Sequence, residues 1–160
     1  MPYMSLCDGA DPGVLPDEWL TMPEETLRRE AASYRYACDD GDLDPDALEW
    51  RLVIDLPLVV LIPLMGAHQG WVSWFEDELT MFDEELPHVA EGYRALMEEP
   101  LDSPIVVTIE PERVQIWDGW HRTATRIMGG TVTIPAIVGR LPQAPHLAEL
   151  VGRRALVPAA

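Results

Sequence analysis

The chain has 160 residues, 48% of them hydrophobic, enough for one domain with a sizeable core, and 28 Asp/Glu against 11 Lys/Arg set its net charge at −17. Such a field repels polyanions and leaves few cations to neutralise phosphates, so broad nucleic-acid coating is disfavoured and DNA binding is expected to be weak or absent. The longest apolar run, 56–66, is broken by Pro57 and Pro63 and is too short to span a bilayer, and Cys7 and Cys38 show neither a metal-ligand spacing nor a disulfide framework.

No basic segment leads into an apolar stretch at the start, so the expected address is cytoplasmic, with no membrane partner. The charge is lopsided. Residues 1–110 carry 25 Asp/Glu and 5 Arg, a balance of −20, whereas 111–160 carry 3 and 6, a balance of +3.

In chain order, residues 1–22 hold Pro2, Pro12, Pro16, Gly9 and Gly13, which predicts an irregular arm with a short turn at 17–20. Thr21-Met22-Pro23-Glu24 starts a helix expected to run to about Ala37. Asp44-Pro45-Asp46 opens a short helix through about Arg51, and the apolar run 58–62 reads as a strand closed by Pro63. Helical spacing recurs over 71–82 and 86–97. The β-rich runs 104–109 and 114–117, joined by Glu110-Pro111-Glu112-Arg113, predict a hairpin. Asp118-Gly119 breaks the second strand, 120–128 is helical, Gly129-Gly130 ends that helix, 132–138 is a final strand, and 146–151 is a short helix. The whole is expected to be one α+β domain with a small mixed sheet flanked by helices. It divides into an arm and helices (1–55), a core (56–140) and a tail (141–160).

The chemistry concentrates in Ile116-Trp117-Asp118-Gly119-Trp120-His121-Arg122. A helix N-terminus offers backbone N–H groups and a partial positive charge to an anion. Glycine at 119 permits close backbone approach, Arg122 supplies a planar fork for two phosphate oxygens, and His121 can move a proton near neutral pH. Asp118, ending the strand, can orient water, act as base or hold a phosphate-bridging metal.

The order of strand, Asp-Gly, His-Arg, helix and then Ile134-Pro135-Ala136-Ile137-Val138 resembles the ParB/sulfiredoxin-like superfamily, closely over 101–140 and only in outline over 58–97. Members carry Asp-Gly-x-His-Arg at this turn, and the free-serine kinases among them use ATP or ADP there. The resemblance implies a nucleotide-phosphate enzyme, with Asp118 and His121 catalytic. The chain matches these kinases at Asp118, Gly119, His121 and Arg122 and departs at Trp120. Gly119, Trp120, His121, Arg122 and Thr123 are the candidate phosphate-binding residues, Arg126 one turn on either extends the cradle or solvates the helix face, and Asp118 would meet Mg²⁺. Trp120 stands where the sulfinic-acid reductases have their cysteine, so that activity is not implied. The centromere-binding Gly-Glu-Arg-Arg box and a helix-turn-helix are also lacking.

His68 and Gln69, in a Gly-flanked loop, are candidate lid residues, and Glu76 or Glu78 a candidate second carboxylate, as family kinases place a Glu in this region. Two functions are expected from these features. One is an ATPase, phosphotransferase or ParB-like nuclease, the last as in plasmid fertility-inhibition relatives. The other is a non-catalytic acidic protein that docks on a basic partner.

Overall fold

The computed structural model describes residues 3–6, 15–34, 43–61, 71–95, 103–128, 130 and 133–155. Five strands form one mixed sheet: β1 (Tyr3–Met4), β2 (Glu49–Pro57), β3 (Ile105–Ile109), β4 (Val114–Asp118) and β5 (Thr133–Arg140). Their spatial order is β1-β2-β5-β3-β4. β1 runs parallel to β2, β2 antiparallel to β5, β5 parallel to β3, and β3 antiparallel to β4. Among the described residues six α-helices accompany them: α1 (Asp17–Leu20), α2 (Glu24–Ala32), α3 (Trp71–Glu85), α4 (Pro87–Ala95), α5 (Trp120–Met128) and α6 (Leu147–Ala155). No helix among the described residues is long and apolar enough to cross a membrane.

The two sheet faces bury separate cores, as alternation along a strand requires. One gathers Val53, Ile105, Val107, Ile109, Ile116, Ala136 and Val138 beneath Leu147 of α6 and the partly buried Trp120 and Ile127 of α5. The opposite face buries Trp50, Leu52, Val106, Trp117 and Ile137 against Leu27 and Ala31 of α2. Trp50 and Trp117 meet edge to face, with centroids 5.9 Å apart, and the Trp50 Nε1 donates to the Pro45 carbonyl at 2.9 Å. A Cβ on Gly139 would lie 2.6 Å from the Trp50 ring, so the absence of a side chain there admits the indole.

Two expectations need correction. The helix that Asp44 caps is a single 3-10 turn, Pro45–Ala47, with the Asp46 N–H donating to Asp44 Oδ1 at 2.9 Å, and the strand begins at Glu49. The 58–62 run is not a strand: Leu58–Val60 forms another 3-10 turn. The second error has a plain cause. A continuous apolar segment does not reveal by its period whether it is a buried strand or a buried turn, and here 52–56 are all buried in the interior of the sheet.

The irregular arm also contributes an edge strand. Tyr3 pairs with Leu52 and Met4 with Val53, and buried Asp55 secures the next two residues by accepting from Ser5 Oγ at 2.8 Å and the Leu6 N–H at 2.7 Å. Asp55→Ala is expected to cost about 2 kcal/mol, because charged hydrogen bonds are lost and a buried N–H loses its acceptor. Urea unfolding should show a lower midpoint at unchanged slope. An unchanged midpoint would mean that the arm is held by apolar contacts alone.

Candidate functional site

β4 ends at Asp118, the chain turns at Gly119 and α5 begins at Trp120. Gly119 has φ +101°, and a Cβ there would lie 2.3 Å from Ile105 Cγ2. The close approach that glycine permits is thus, first, to β3. The turn is then locked from both sides. Thr123 donates to the Gly119 carbonyl with its N–H (2.9 Å) and its Oγ1 (2.8 Å), and the Trp120 indole donates to the Ile116 carbonyl at 3.1 Å. Because Thr123 is the first N–H in the α5 ladder, those of Trp120, His121 and Arg122 lie outside it, at the positive end of the helix.

Arg122 ties this end to β3. Its Nη2 meets Asp118 Oδ2 at 2.7 Å, and its Nη1 donates to the Ser103 carbonyl (3.0 Å) and Ser103 Oγ (2.9 Å). Trp117, Asp118, Gly119, Trp120, His121 and Arg122 together line one open groove of about 260 Å³. Asp118, His121 and Arg122 therefore share a concavity, as a strand-to-helix turn requires.

The helical hairpin α3–α4 brings a carboxylate to His121, one of the residues that line this groove. Glu78 Oε2 lies 3.6 Å from His121 Nε2, longer than a hydrogen bond but within ion-pair reach, and this oxygen is buried with no hydrogen-bond partner among the described residues. On its other side His121 stacks on Tyr93 of α4, centroids 5.2 Å apart, and Tyr93 stacks on Phe82 of α3 at 6.0 Å. The imidazole is therefore placed by a carboxylate and an aromatic column.

The hairpin is itself clipped by Asp83 and Arg94, which share two hydrogen bonds of 2.5 Å. These bonds hold the Asp83 carboxyl below its ordinary value of 3.8. A lowered carboxyl pKa contributes stability that is present above the ordinary value and is lost as pH falls through the lower folded one. The hairpin should therefore keep this clip throughout neutral and mildly acidic solution. Loosening of 83–94 in hydrogen exchange at about pH 5 to 6 would contradict that expectation.

Other candidates from the sequence fall differently. Thr123 is fully buried and turned to the Gly119 carbonyl, so it does not line the groove. Arg126 is also not among the lining residues, and burial holds its guanidinium below the ordinary arginine value. Glu76 is exposed on α3, whereas Glu78 reaches His121. His68 and Gln69 lie outside the described residues. Among the described residues no group of three His, Cys, Asp or Glu side chains could hold a metal ion, and Asp118 Oδ2 is taken by Arg122. Among the described residues the donors thus form no all-protein metal cage; Mg²⁺ is usually held by one or two carboxylates together with a nucleotide's phosphates.

Ser103, Tyr93 and Phe82 join the site without being marked as site residues by the sequence. Tyr93 carries a usable signal, its place on the apolar side of a helical pattern, whereas a serine before a strand carries none. No family model matches the chain, and none of the curated proteins or solved structures compared with it matches either.

Proposed function

We propose that the Asp118–Arg122 turn binds the terminal phosphates of ATP or ADP and that the protein hydrolyses or transfers phosphate there, with phosphodiester cleavage as a related reaction. The observation that carries this reading is that His121, paired with Glu78, lines a groove built from a glycine turn, a helix N-terminus and an arginine. The order of motif residues, which resembles the ParB/sulfiredoxin-like superfamily, supports it.

In this reading the N–H groups of the helix end receive the phosphate oxygens, and Arg122, whose Nη1 and Nη2 already serve Ser103 and Asp118, adds its charge and its remaining N–H donors. An attacking water or hydroxyl gives its proton to His121 as its oxygen bonds to the terminal phosphorus. The bond from phosphorus to the bridging oxygen breaks, and that oxygen leaves on the nucleotide with the electron pair. Glu78 holds the imidazolium so formed. Positioning and charge carry most phosphoryl chemistry, which suits so small a site. No step is assigned to Mg²⁺.

Glu78→Gln tests the proton step, because it preserves shape and removes the charge. Turnover of ATP or ADP should fall about a hundredfold, the lower end of what a positioned base contributes, with nucleotide affinity nearly unchanged. A turnover rate unaffected by Glu78→Gln contradicts the assignment, and so does wild-type protein that turns over neither nucleotide.

A second reading has an observation of its own. Met81 and Leu86 are 46% and 44% exposed on the acidic α3–α4 hairpin, an apolar pair within negative charge that suits a basic amphipathic partner. Salt-sensitive binding of a synthetic basic amphipathic peptide, lost on Met81→Asp, would favour it over the enzymatic reading.

A further inference from the structure

At the opposite end of the sheet from β4, a cavity of about 290 Å³ opens between the β1–β2 edge and α6. It is made by one sheet face. Glu49, Arg51 and Val53 alternate along β2, Arg51 pairs with Val138 and Glu49 with Arg140 in β5, and Met4 pairs with Val53. The walls divide by chemistry. Val138 and Leu147 are buried and give an apolar floor, Met4 and Leu6 add a more exposed apolar edge, and Glu49, Arg51 and His146 are exposed at the rim, Glu49 being paired with Arg140.

The two arginines here are in different states. Arg140 is committed to the fold: its Nη2 meets Glu49 Oε2 at 2.7 Å and its Nη1 donates to the Ala144 carbonyl at 2.9 Å. Arg51 has no hydrogen-bond or ion-pair partner for its side chain among the described residues. In a chain of net charge −17, where Arg29, Arg94, Arg113, Arg122 and Arg140 all meet carboxylates, that is unusual. An apolar cavity with a cation left over at its mouth calls for an apolar body with an anionic head.

We propose that this cavity is a second binding site, separate from the Asp118–Arg122 groove, for a small amphipathic carboxylate. The carboxylate lies on the Arg51 fork beside His146, and the apolar tail runs over Val138 and Leu147. A carboxylate matches a single arginine in charge and in bidentate geometry, whereas a phosphate monoester dianion calls for more cations than Arg51 provides. The cavity is small, about 290 Å³, so the tail is short.

The full chain titrated with sodium hexanoate, followed by amide NMR, tests the proposal. Saturable shifts are expected at Met4, Val138 and Ala148, with weaker binding by 1-hexanol and by hexyl phosphate. Arg51→Ala, a change at an exposed side chain, should weaken hexanoate about fivefold, the equivalent of ~1 kcal/mol for a partly exposed ion pair. Ala148→Trp, which fills the cavity from its exposed lip, should abolish binding. Three results would overturn the proposal: no saturable shifts with hexanoate, shifts centred on 117–122 instead, or a hexanoate affinity that Arg51→Ala leaves unchanged. Tighter binding of hexyl phosphate would overturn the choice of carboxylate.

Discussion

Gly119→Ala is expected to lower the stability of the protein by about 3 kcal/mol or more. Two costs add at this position. The backbone holds φ at +101°, where a residue with a Cβ is penalised by roughly 1–2 kcal/mol. The new methyl would also lie 2.3 Å from Ile105 Cγ2, and Ile105 is fully buried in β3, so overpacking adds about 1–3 kcal/mol. For a domain of this size the melting temperature should fall by about ten degrees. A melting temperature within about a degree of wild type would show that β4 and α5 separate from β3 without cost, and the site would have no rigid base.

Arg122→Ala is expected to have the next largest effect, and on two quantities at once. The sequence presents Arg122 as a side chain aimed at a ligand, whose loss leaves the fold nearly intact. The structure gives it a second occupation, since it joins Asp118 at the end of β4 to Ser103 before β3 and its side chain is only 18% exposed. Hydrogen bonds to charged groups contribute about 1.5–3 kcal/mol each when buried, and solvent around the 31%-exposed Asp118 reduces this, so the expected loss is about 2 kcal/mol. Nucleotide binding should disappear with it. Arg122→Lys keeps the charge without the fork and should recover part of the stability but little of the affinity. Denaturant unfolding and nucleotide titration on the same two variants separate the roles. Full stability in Arg122→Ala would contradict the clip, and unchanged nucleotide affinity would contradict the site.

The parts of the molecule legible in the sequence are those with local causes. Asp118-Gly119 interrupts a β-rich run and precedes helical spacing, and the hairpin loop 110–113 separates two such runs, so β3, β4 and α5 can be placed within a residue or two. The pairing of Tyr3 and Met4 with β2, continued by the hydrogen bonds of Ser5 and Leu6 to Asp55, joins residues that lie far apart in the chain, which no local pattern announces. The same holds for the site. Helical spacing sets Glu78 on the apolar stripe of Trp74, Phe75 and Phe82, unlike Glu76 and Asp77, but only the packing of α3 against α5 shows that it lies beside His121. Thr123 reads as a phosphate ligand because helix-start hydroxyls often face anions, but here the hydroxyl turns back to the Gly119 carbonyl, a competing local bond that sequence does not rank.

The central claim, that nucleotide phosphates bind at the Asp118–Arg122 turn, is tested most directly by titrating ATP and ADP, with and without Mg²⁺, into the full chain while following its amide signals. Saturable shifts are expected, largest at Gly119, His121 and Arg122, displaced by inorganic pyrophosphate and untouched by hexanoate. At one hundred times its Kd the nucleotide should add about 2.7 kcal/mol to stability in a parallel unfolding experiment. Shifts that avoid 118–122, or nucleotides that bind nowhere and add no stability under any of these conditions, would contradict it.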